Sequence, residues 1–323
     1  MNLSASALPV EVWTQIHAFA CTDDGFAGRA LSRVSKDWRT IAAPFKLQSI
    51  ALVGAKPILR FLCILDSTEE GYRDVQSLFI GCPNLNLASK SSTCLDLAYE
   101  RARGLAFTNQ LFPELEVYPF TRTVQIGSDA IEQAVIRILH RTAATLRVLH
   151  THLTFPQRPS PLYPVPLREL RVLVLHGPFA THPPTPSPTL PYLRHLRFAP
   201  GPTSRHKGAT LLNTVTVAAP GLSHLCLSHT ACTRKELERA LEHTSLRNLT
   251  RLVVEADITR RSPSPSATAG TVSEHVKLLQ LAQDDGRVRI LREKRWWVDV
   301  QAALLEWEEA DELRWDEREE YEE

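Results

Sequence analysis

Histidine is the residue type whose number and spacing in this chain could most readily support chemistry. Five of the twelve histidines fall at alternating positions of short apolar segments. Imidazole titrates near neutrality and binds zinc, so such a row could be a pH-responsive or metal-binding strip. No segment has the paired spacing of a known zinc motif, and we therefore favour a polar, half-exposed strand surface that tolerates histidine over a metal site. We expect this surface to bind a target protein. The predicted target-binding residues are His150, His152, His176, His195, Arg197 and His224.

The residues that could support catalysis form a less convincing pattern than the histidines do. Cys226 lies near His224 and His229, but no residue that would orient a base is identifiable beside them. Asp23 and Asp24 are adjacent in what we interpret as a connection between helices. The chain has no GxGxxG after a strand, no GxxxxGK[ST], no HExxH and no GxSxG, and it contains only 13 glycines. We expect a protein that is not an enzyme and has no cofactor and no metal.

The histidines belong to a repeated apolar pattern that must position them. Eight segments carry apolar or near-equivalent residues at positions 1, 4 and 6 of a hexad, and their starts lie 23 to 29 residues apart except for one interval of 46. These intervals are typical of leucine-rich repeats, and the long one could contain a degenerate unit. Each hexad would form one strand, with its alternate positions on a concave face. The hexads begin at Leu47, Val75, Thr121, Leu146, Leu170, Leu193, Leu222 and Leu249.

Helical stretches separate the hexads, and a strand, crossover and strand order implies parallel pairing. The fold class is therefore predicted as α/β, a small helical module followed by a curved leucine-rich-repeat-like solenoid with a parallel sheet. The clearest helices are predicted at residues 57–65, 93–103, 129–140 and 234–243. Proline-rich residues 156–166 and 178–191 would replace helices on the convex side, and residues 260–271 read as a disordered loop. Val288 and Ile290 indicate a last strand.

The charge and composition of the chain limit the kinds of partner that it is expected to bind. Eleven acidic residues against two arginines give residues 306–323 a net charge of −9, which leaves +10 on the rest of the chain. That surplus is too diffuse to indicate a nucleic-acid partner. No long apolar run or secretory signal is apparent, and the six cysteines form no paired framework. We expect an intracellular protein, cytoplasmic, nuclear or both, with free thiols and no membrane partner.

The N-terminal stretch carries a more specific motif. Leu8 and Pro9 open it, Glu11 and Val12 follow, and Ile16 lies on the same helical face. A second part has the pattern L-S-x-V-S-x-x-W, formed by Leu31, Ser32, Val34, Ser35 and Trp38. Residues 8–44 resemble an F-box, particularly the form at the front of many fungal F-box proteins. The polar stretch CTDDGFAG, residues 21–28, departs from the tight helical connection of that family and affects the register of Leu31.

The resemblance implies a function. An F-box docks on the Skp-type adaptor of a Skp-cullin-F-box ubiquitin ligase, and a leucine-rich-repeat-like region behind it recruits the protein to be ubiquitinated. The adaptor-binding residues implied or predicted here are Leu8, Pro9, Val12, Ile16, Leu31, Val34 and Trp38. Through the adaptor the chain would reach a cullin scaffold, and the target protein is unknown.

Two other interpretations stay open. Residues 8–45 could be only a helical cap on the repeats, with Trp38 buried against the first of them. The whole chain could also be a non-enzymatic repeat scaffold with no role in ubiquitin transfer. The favoured organisation is an F-box-like module at residues 1–46, a repeat domain at 47–291 and an acidic capping helix at 292–323.

Overall fold

The computed structural model separates into two compact units, Met1–Leu146 and Arg147–Glu323. The residues that the structure describes are 8–21, 26–82, 128–153, 165–176, 190–199, 212, 215, 217–228, 235, 237–238, 241, 248–256, 280, 283–292, 303–304 and 307. The fold class is α/β, as expected. Eight parallel strands are described, two in the first unit and six in the second, and within each unit their order follows the sequence.

The first unit begins with three helices, α1 (Val10–Ala20), α2 (Phe26–Leu31) and α3 (Lys36–Ala42), followed by a 3-10 turn at Ala43–Phe45. The predicted helical character of this region is confirmed. The L-S-x-V-S-x-x-W pattern from Leu31 to Trp38 does not lie on one continuous helix, because Ser35 is extended and its hydroxyl accepts a hydrogen bond from the Trp38 N–H at 3.2 Å. That side-chain cap starts a new helix and leaves Val34 in the turn.

The remainder of the first unit alternates strands and helices. Its elements are β1 (Ser49–Val53), α4 (Ala55–Ser67), a 3-10 turn (Glu70–Tyr72), β2 (Ser77–Cys82) and α5 (Ser128–Thr142). Between β1 and α4, Gly54 has a φ of 92°, which other residues adopt only with strain. The predicted helices at 57–65 and 129–140 are confirmed inside α4 and α5, and β1 pairs with β2 in parallel.

The second unit contains six strands that pair with their sequence neighbours, all in parallel. They are β3 (Val148–Leu153), β4 (Val172–His176), β5 (His195–Ala199), β6 (His224–Ser228), β7 (Arg251–Ala256) and β8 (Val288–Arg292). The last confirms the strand predicted at Val288 and Ile290. Lys235, Leu237, Glu238 and Leu241 are helical, as predicted for 234–243, and Ala303, Leu304 and Trp307 are helical and buried.

The hexads form the core of both units. Apart from Ile50, which is partly exposed, the hexad residues that the structure describes are buried, from Leu47 to Val254. A backbone hydrogen-bond pattern recurs with the hexads. The carbonyl of the second hexad residue accepts hydrogen bonds from two consecutive N–H groups at the start of the next strand, at 2.8 to 3.1 Å. The accepting residues are Gln48, Arg147, Arg171, Arg194 and Ser223. The same local bond in both units supports a structural repeat, as the hexad spacing predicts.

Some predictions lie outside the described residues. They are the Thr121 hexad, the helix at 93–103, the loop at 260–271 and most of the two proline-rich stretches. The ends of those stretches are described, and they contribute to the core: Val165 and Leu190 are buried. The predicted boundaries at 46 and 291 stay predictions.

Candidate functional site

The N-terminal module, defined as α1 to α3, is held together by an aromatic cluster. The indole of Trp38 lies 4.6 Å from that of Trp13 and 5.1 Å from the His17 ring, measured between ring centroids. His17 is fully buried, and its Nδ1 lies 2.6 Å from the carbonyl oxygen of Trp13, which can only accept, so Nδ1 donates. Trp38, predicted to contact an adaptor, therefore packs mainly within the module and is only partly exposed.

The exposed part of α1 carries large apolar side chains as well as polar ones. Val12, Ile16 and Phe19 follow one another at helical spacing, and we call these three side chains the α1 stripe. All three are exposed, Phe19 to 82%. Val34, in the turn before α3, is 65% exposed. Exposed apolar side chains that line one face of a helix mark interaction sites more often than scattered ones do.

The structure also shows where the other residues of the F-box-like motif lie. Leu8 and Pro9 are exposed at the start of α1, where the Pro9 carbonyl accepts hydrogen bonds from the Val12 and Trp13 N–H groups. Leu31 is partly exposed at the end of α2. The motif residues thus fall into two sets: Leu8, Pro9, Val12, Ile16 and Val34 are exposed, whereas Leu31 and Trp38 are half-buried. Asp23 and Asp24 lie outside the described residues.

Side chains of a strand alternate between the two faces of a sheet, and the histidines lie on the face opposite to the apolar hexad residues. We call this the alternate face. Strand register places its residues in rows that cross the strands. The first row is Val148, Val172, His195, His224 and Arg251, and the second is His150, Val174, Arg197, Cys226, Val253 and Arg289. His152 and His176 begin a third row. The predicted target-binding residues therefore do share one face.

The alternate face is not open along its whole length. His150, His152 and His176 are only 2%, 4% and 7% exposed, and the expectation of a half-exposed strand surface is wrong for these three. Their rows contain Val172 and Val174, which are buried on the same face. This part of the sheet is covered on both faces, as is usual for parallel strands.

Burial determines the protonation of two of these histidines. Loss of hydration, together with the nearby Arg197 guanidinium, lowers the pKa of His150 to about 3. The same two causes, in the same order, hold the pKa of His176 well below its ordinary value, with smaller effects of His152 and His150. Both rings are therefore neutral at physiological pH. The rings of His152 and His176 stack with centroids 5.7 Å apart.

From β5 onward several residues of the same face are partly exposed, whereas Val253 on β7 is buried. His195, Arg197 and His224 are half-buried, and the His195 and His224 rings stack with centroids 4.5 Å apart. Arg251 is half-buried and Arg289 is exposed. Sequence reasoning did not single out these two arginines, although the alternate-position rule that selected the histidines also selects Arg251 in the Leu249 hexad.

The catalytic and metal candidates gain no support from their surroundings. Cys226 is a half-buried cysteine on β6, and His229 lies outside the described residues. Within the described part of the chain no group of three or more His, Cys, Asp or Glu residues is placed to hold a metal ion. Among those residues no helix is long and apolar enough to cross a membrane.

No family model, no curated protein and no solved structure matches this chain.

Proposed function

We propose that this chain is a substrate-recruiting adaptor of a Skp-cullin-F-box ubiquitin ligase, with the N-terminal module as its F-box-like part. The observation that carries the proposal is the exposure of Val12, Ile16 and Val34, three apolar residues at adaptor-contacting positions of the motif. A helical cap that serves only the repeats would turn its apolar positions inward. The α1 stripe faces solvent and is therefore suited to a partner.

The energetics of the stripe are consistent with docking. Burying one large aliphatic or aromatic side chain that is exposed in the free protein is worth about 2 kcal/mol. Phe19 and Val34 have most of their surface available for burial. A few such anchors account for most of the affinity of a typical protein interface. The aromatic cluster of Trp13, His17 and Trp38 gives the stripe a preformed support.

The mechanism would be proximity. The module would bind the Skp-type adaptor, and through it the cullin scaffold, while the repeat region holds a target protein. Tethering raises the effective concentration of target lysines near the ubiquitin-charged enzyme. No residue of this chain takes part in bond making in such a mechanism. Within the first unit, Gln48 at the start of the repeats donates a hydrogen bond to the Ala18 carbonyl of α1 at 3.2 Å, which ties the module to the first strand.

Co-purification with a Skp-type adaptor tests the proposal. The full chain is co-expressed with the adaptor, and complex formation is measured by size-exclusion chromatography. Ile16→Asp places a charge in the stripe and should abolish the complex, because the carboxylate would be buried without a partner. Thr14→Asp places the same charge at an exposed position of α1 on the side away from the stripe and serves as the matched control.

The expected result is a complex with the wild type and with Thr14→Asp, and none with Ile16→Asp, while circular dichroism shows equal helix content. If the wild type forms no complex, or if Ile16→Asp binds as well as the control, the adaptor proposal is wrong. The second interpretation, a repeat scaffold with no ubiquitin role, would then take its place.

A further inference from the structure

The edge at which the strands of the second unit begin carries a row of arginines. Arg147, Arg171 and Arg194 each occupy the second hexad position, directly before β3, β4 and β5. Their backbones are joined, because the Arg147 carbonyl accepts a hydrogen bond from the Arg171 N–H at 2.8 Å and the Arg171 carbonyl accepts one from the Arg194 N–H at 2.9 Å. Adjacent strands are about 4.8 Å apart, so the row is about 10 Å long. We call these three residues the arginine ladder.

The ladder is accessible, and two of its charges are unpaired. All three arginines are exposed. Within the described part of the chain, Arg147 and Arg194 take part in no ion pair and no side-chain hydrogen bond. The same is true of Arg168 and Glu169, which are exposed in the turn before β4. Four arginines and one glutamate leave this part of the edge with a net charge of +3.

The charge is confined to three neighbouring strands. Ser223 and Thr250, which occupy the second hexad position before β6 and β7, are uncharged. Arg287, the residue before β8, is paired with Asp285 through two contacts, of 2.7 and 3.0 Å, and that pair is close to neutral. The described edge of the second unit therefore has one unpaired basic surface, at the ladder.

We propose that the arginine ladder binds an Asp/Glu-rich segment of the target protein. This inference rests on the proposed function, because it assigns a chemical class to the recruited target. Like charges aligned on neighbouring strands repel each other, and carboxylates that lie across the row remove that repulsion. A guanidinium group can bind a carboxylate through two parallel hydrogen bonds. An extended chain rises about 3.4 Å per residue, so three or four residues cross the ladder and bring two carboxylates to it.

The surroundings of the ladder favour a protein over a nucleic acid. Tyr192, in the turn before β5, is 62% exposed, and strand register places it beside Glu169. Tyrosine and arginine are two of the residue types that contribute most of the affinity in protein interfaces. Single-stranded nucleic acid is held instead by long basic grooves with several stacking aromatic residues. A row of three arginines beside one tyrosine matches a short acidic segment in length and charge.

Fluorescence anisotropy with the full chain, in the absence of any Skp-type adaptor, tests this proposal separately from adaptor binding. The probe is a fluorescein-labelled peptide of alternating Glu and Ser, and the reference peptide has Gln in place of Glu. Arg147→Gln with Arg194→Gln removes the two unpaired charges of the ladder. Lys235→Gln with Arg289→Gln removes two exposed cations elsewhere in the second unit and serves as the control of equal net charge.

We expect the wild type and the control to bind the Glu peptide equally and the Gln peptide at least tenfold more weakly. The ladder variant should lose about tenfold in affinity for the Glu peptide, the sum of two modest exposed ion pairs. Residues 306–323 are present in every variant, so any competition from them cancels in the ratio.

The proposal is overturned if the wild type does not bind the Glu peptide, if it binds the two peptides equally, or if the ladder variant binds as well as the control. Tighter binding of a single-stranded oligonucleotide than of the Glu peptide would also overturn it, because the ladder would then belong to a nucleic-acid surface. None of these results bears on the adaptor proposal, because no adaptor is present in the measurement.

Discussion

The N-terminal module and the strand repeats place their apolar residues in opposite ways. In the repeats, Leu149 and Leu225 are each 1% exposed, whereas in α1 the periodic apolar residues Val12, Ile16 and Phe19 lie outside. The module obtains its interior from Trp13, His17 and Trp38. Periodicity therefore identifies an apolar face, and it does not tell whether the chain itself covers that face.

A second difference lies within the alternate face. At β3 and β4 the face contains the buried, neutral His150 and His176, while from β5 to β8 it contains the half-buried Arg197 and Arg251 and the exposed Arg289. The change follows composition along the rows, from Val172 and Val174 to Arg197, Arg251 and Arg289. The same hexad pattern thus supports a buried part and a partly exposed part of one sheet face, and predictions about the two parts differ.

Lowering the pH should destabilise the protein through the buried histidines of the alternate face at β3 and β4. The unfolded chain protonates His150 and His176 near pH 6.5, but the folded protein keeps both neutral down to much lower pH. Between these values the unfolded state binds more protons, so the free energy of unfolding decreases as the pH falls. Two such groups give a loss of up to about 3 kcal/mol between pH 6.5 and 5. Urea unfolding at a series of pH values measures it.

The comparison is sharpened by His150→Leu, which removes one of the two groups. The slope of unfolding free energy against pH should fall to about half of the wild-type slope in that window. A slope unchanged by this substitution would show that burial of His150 is not its cause. His140→Leu, at an exposed position of α5, is the matched control and should leave the slope as it is.

Truncating a hexad side chain of the repeats should cost more stability than truncating an exposed apolar side chain of the module. Leu225→Ala removes a fully buried hexad side chain and should lower the free energy of unfolding by about 3 kcal/mol. Val34→Ala removes an exposed apolar side chain and should change it by less than about 0.5 kcal/mol. Both values come from urea unfolding at neutral pH. Similar losses for the two variants would mean that Val34 is covered in solution and that the contrast between the regions is wrong.

Truncating the aromatic cluster should reduce stability by an amount between those of Leu225→Ala and Val34→Ala. Trp38→Ala takes away a half-buried ring that contacts both Trp13 and His17, and should destabilise the module by about 2 kcal/mol. Trp38→Phe keeps an aromatic ring in place and should recover more than half of that loss. Thermal unfolding followed by near-ultraviolet circular dichroism reports on both. Trp38→Ala with unchanged stability would instead make Trp38 a contact residue for a partner.

Surface ion pairs should have the smallest effect. Asp66 accepts contacts from Arg137 at 2.8 Å and from Arg141 at 3.1 Å, on the exposed sides of α4 and α5. Asp66→Asn should lower the free energy of unfolding by less than about 1 kcal/mol, and high salt should reduce the difference further. Urea unfolding of Asp66→Asn and the wild type at low and high salt provides the check. A larger, salt-independent loss would show that the pair is not a simple surface contact.

The strands could be predicted from the sequence because period-two alternation and hexad spacing both depend on local chemistry. The burial of His150 and His176 could not be predicted, since the hexad pattern does not specify what packs on the alternate face. The packing of Trp38 inside the module was not predicted either. Leu31 and Trp38 have the spacing of one helical face, but the Ser35 cap starts a new helix between them, so the spacing does not show which way Trp38 points. Arg251 could have been found with the alternate-position rule already in use.

The central claim is that α1 carries an apolar surface for a Skp-type adaptor, supported from within by the aromatic cluster. Isothermal titration of the adaptor into the purified wild type, Ile16→Asp and Thr14→Asp tests it most directly. The account predicts that the wild type and Thr14→Asp bind the adaptor and that Ile16→Asp does not. Equal binding by all three folded proteins, or no binding by the wild type, would contradict it.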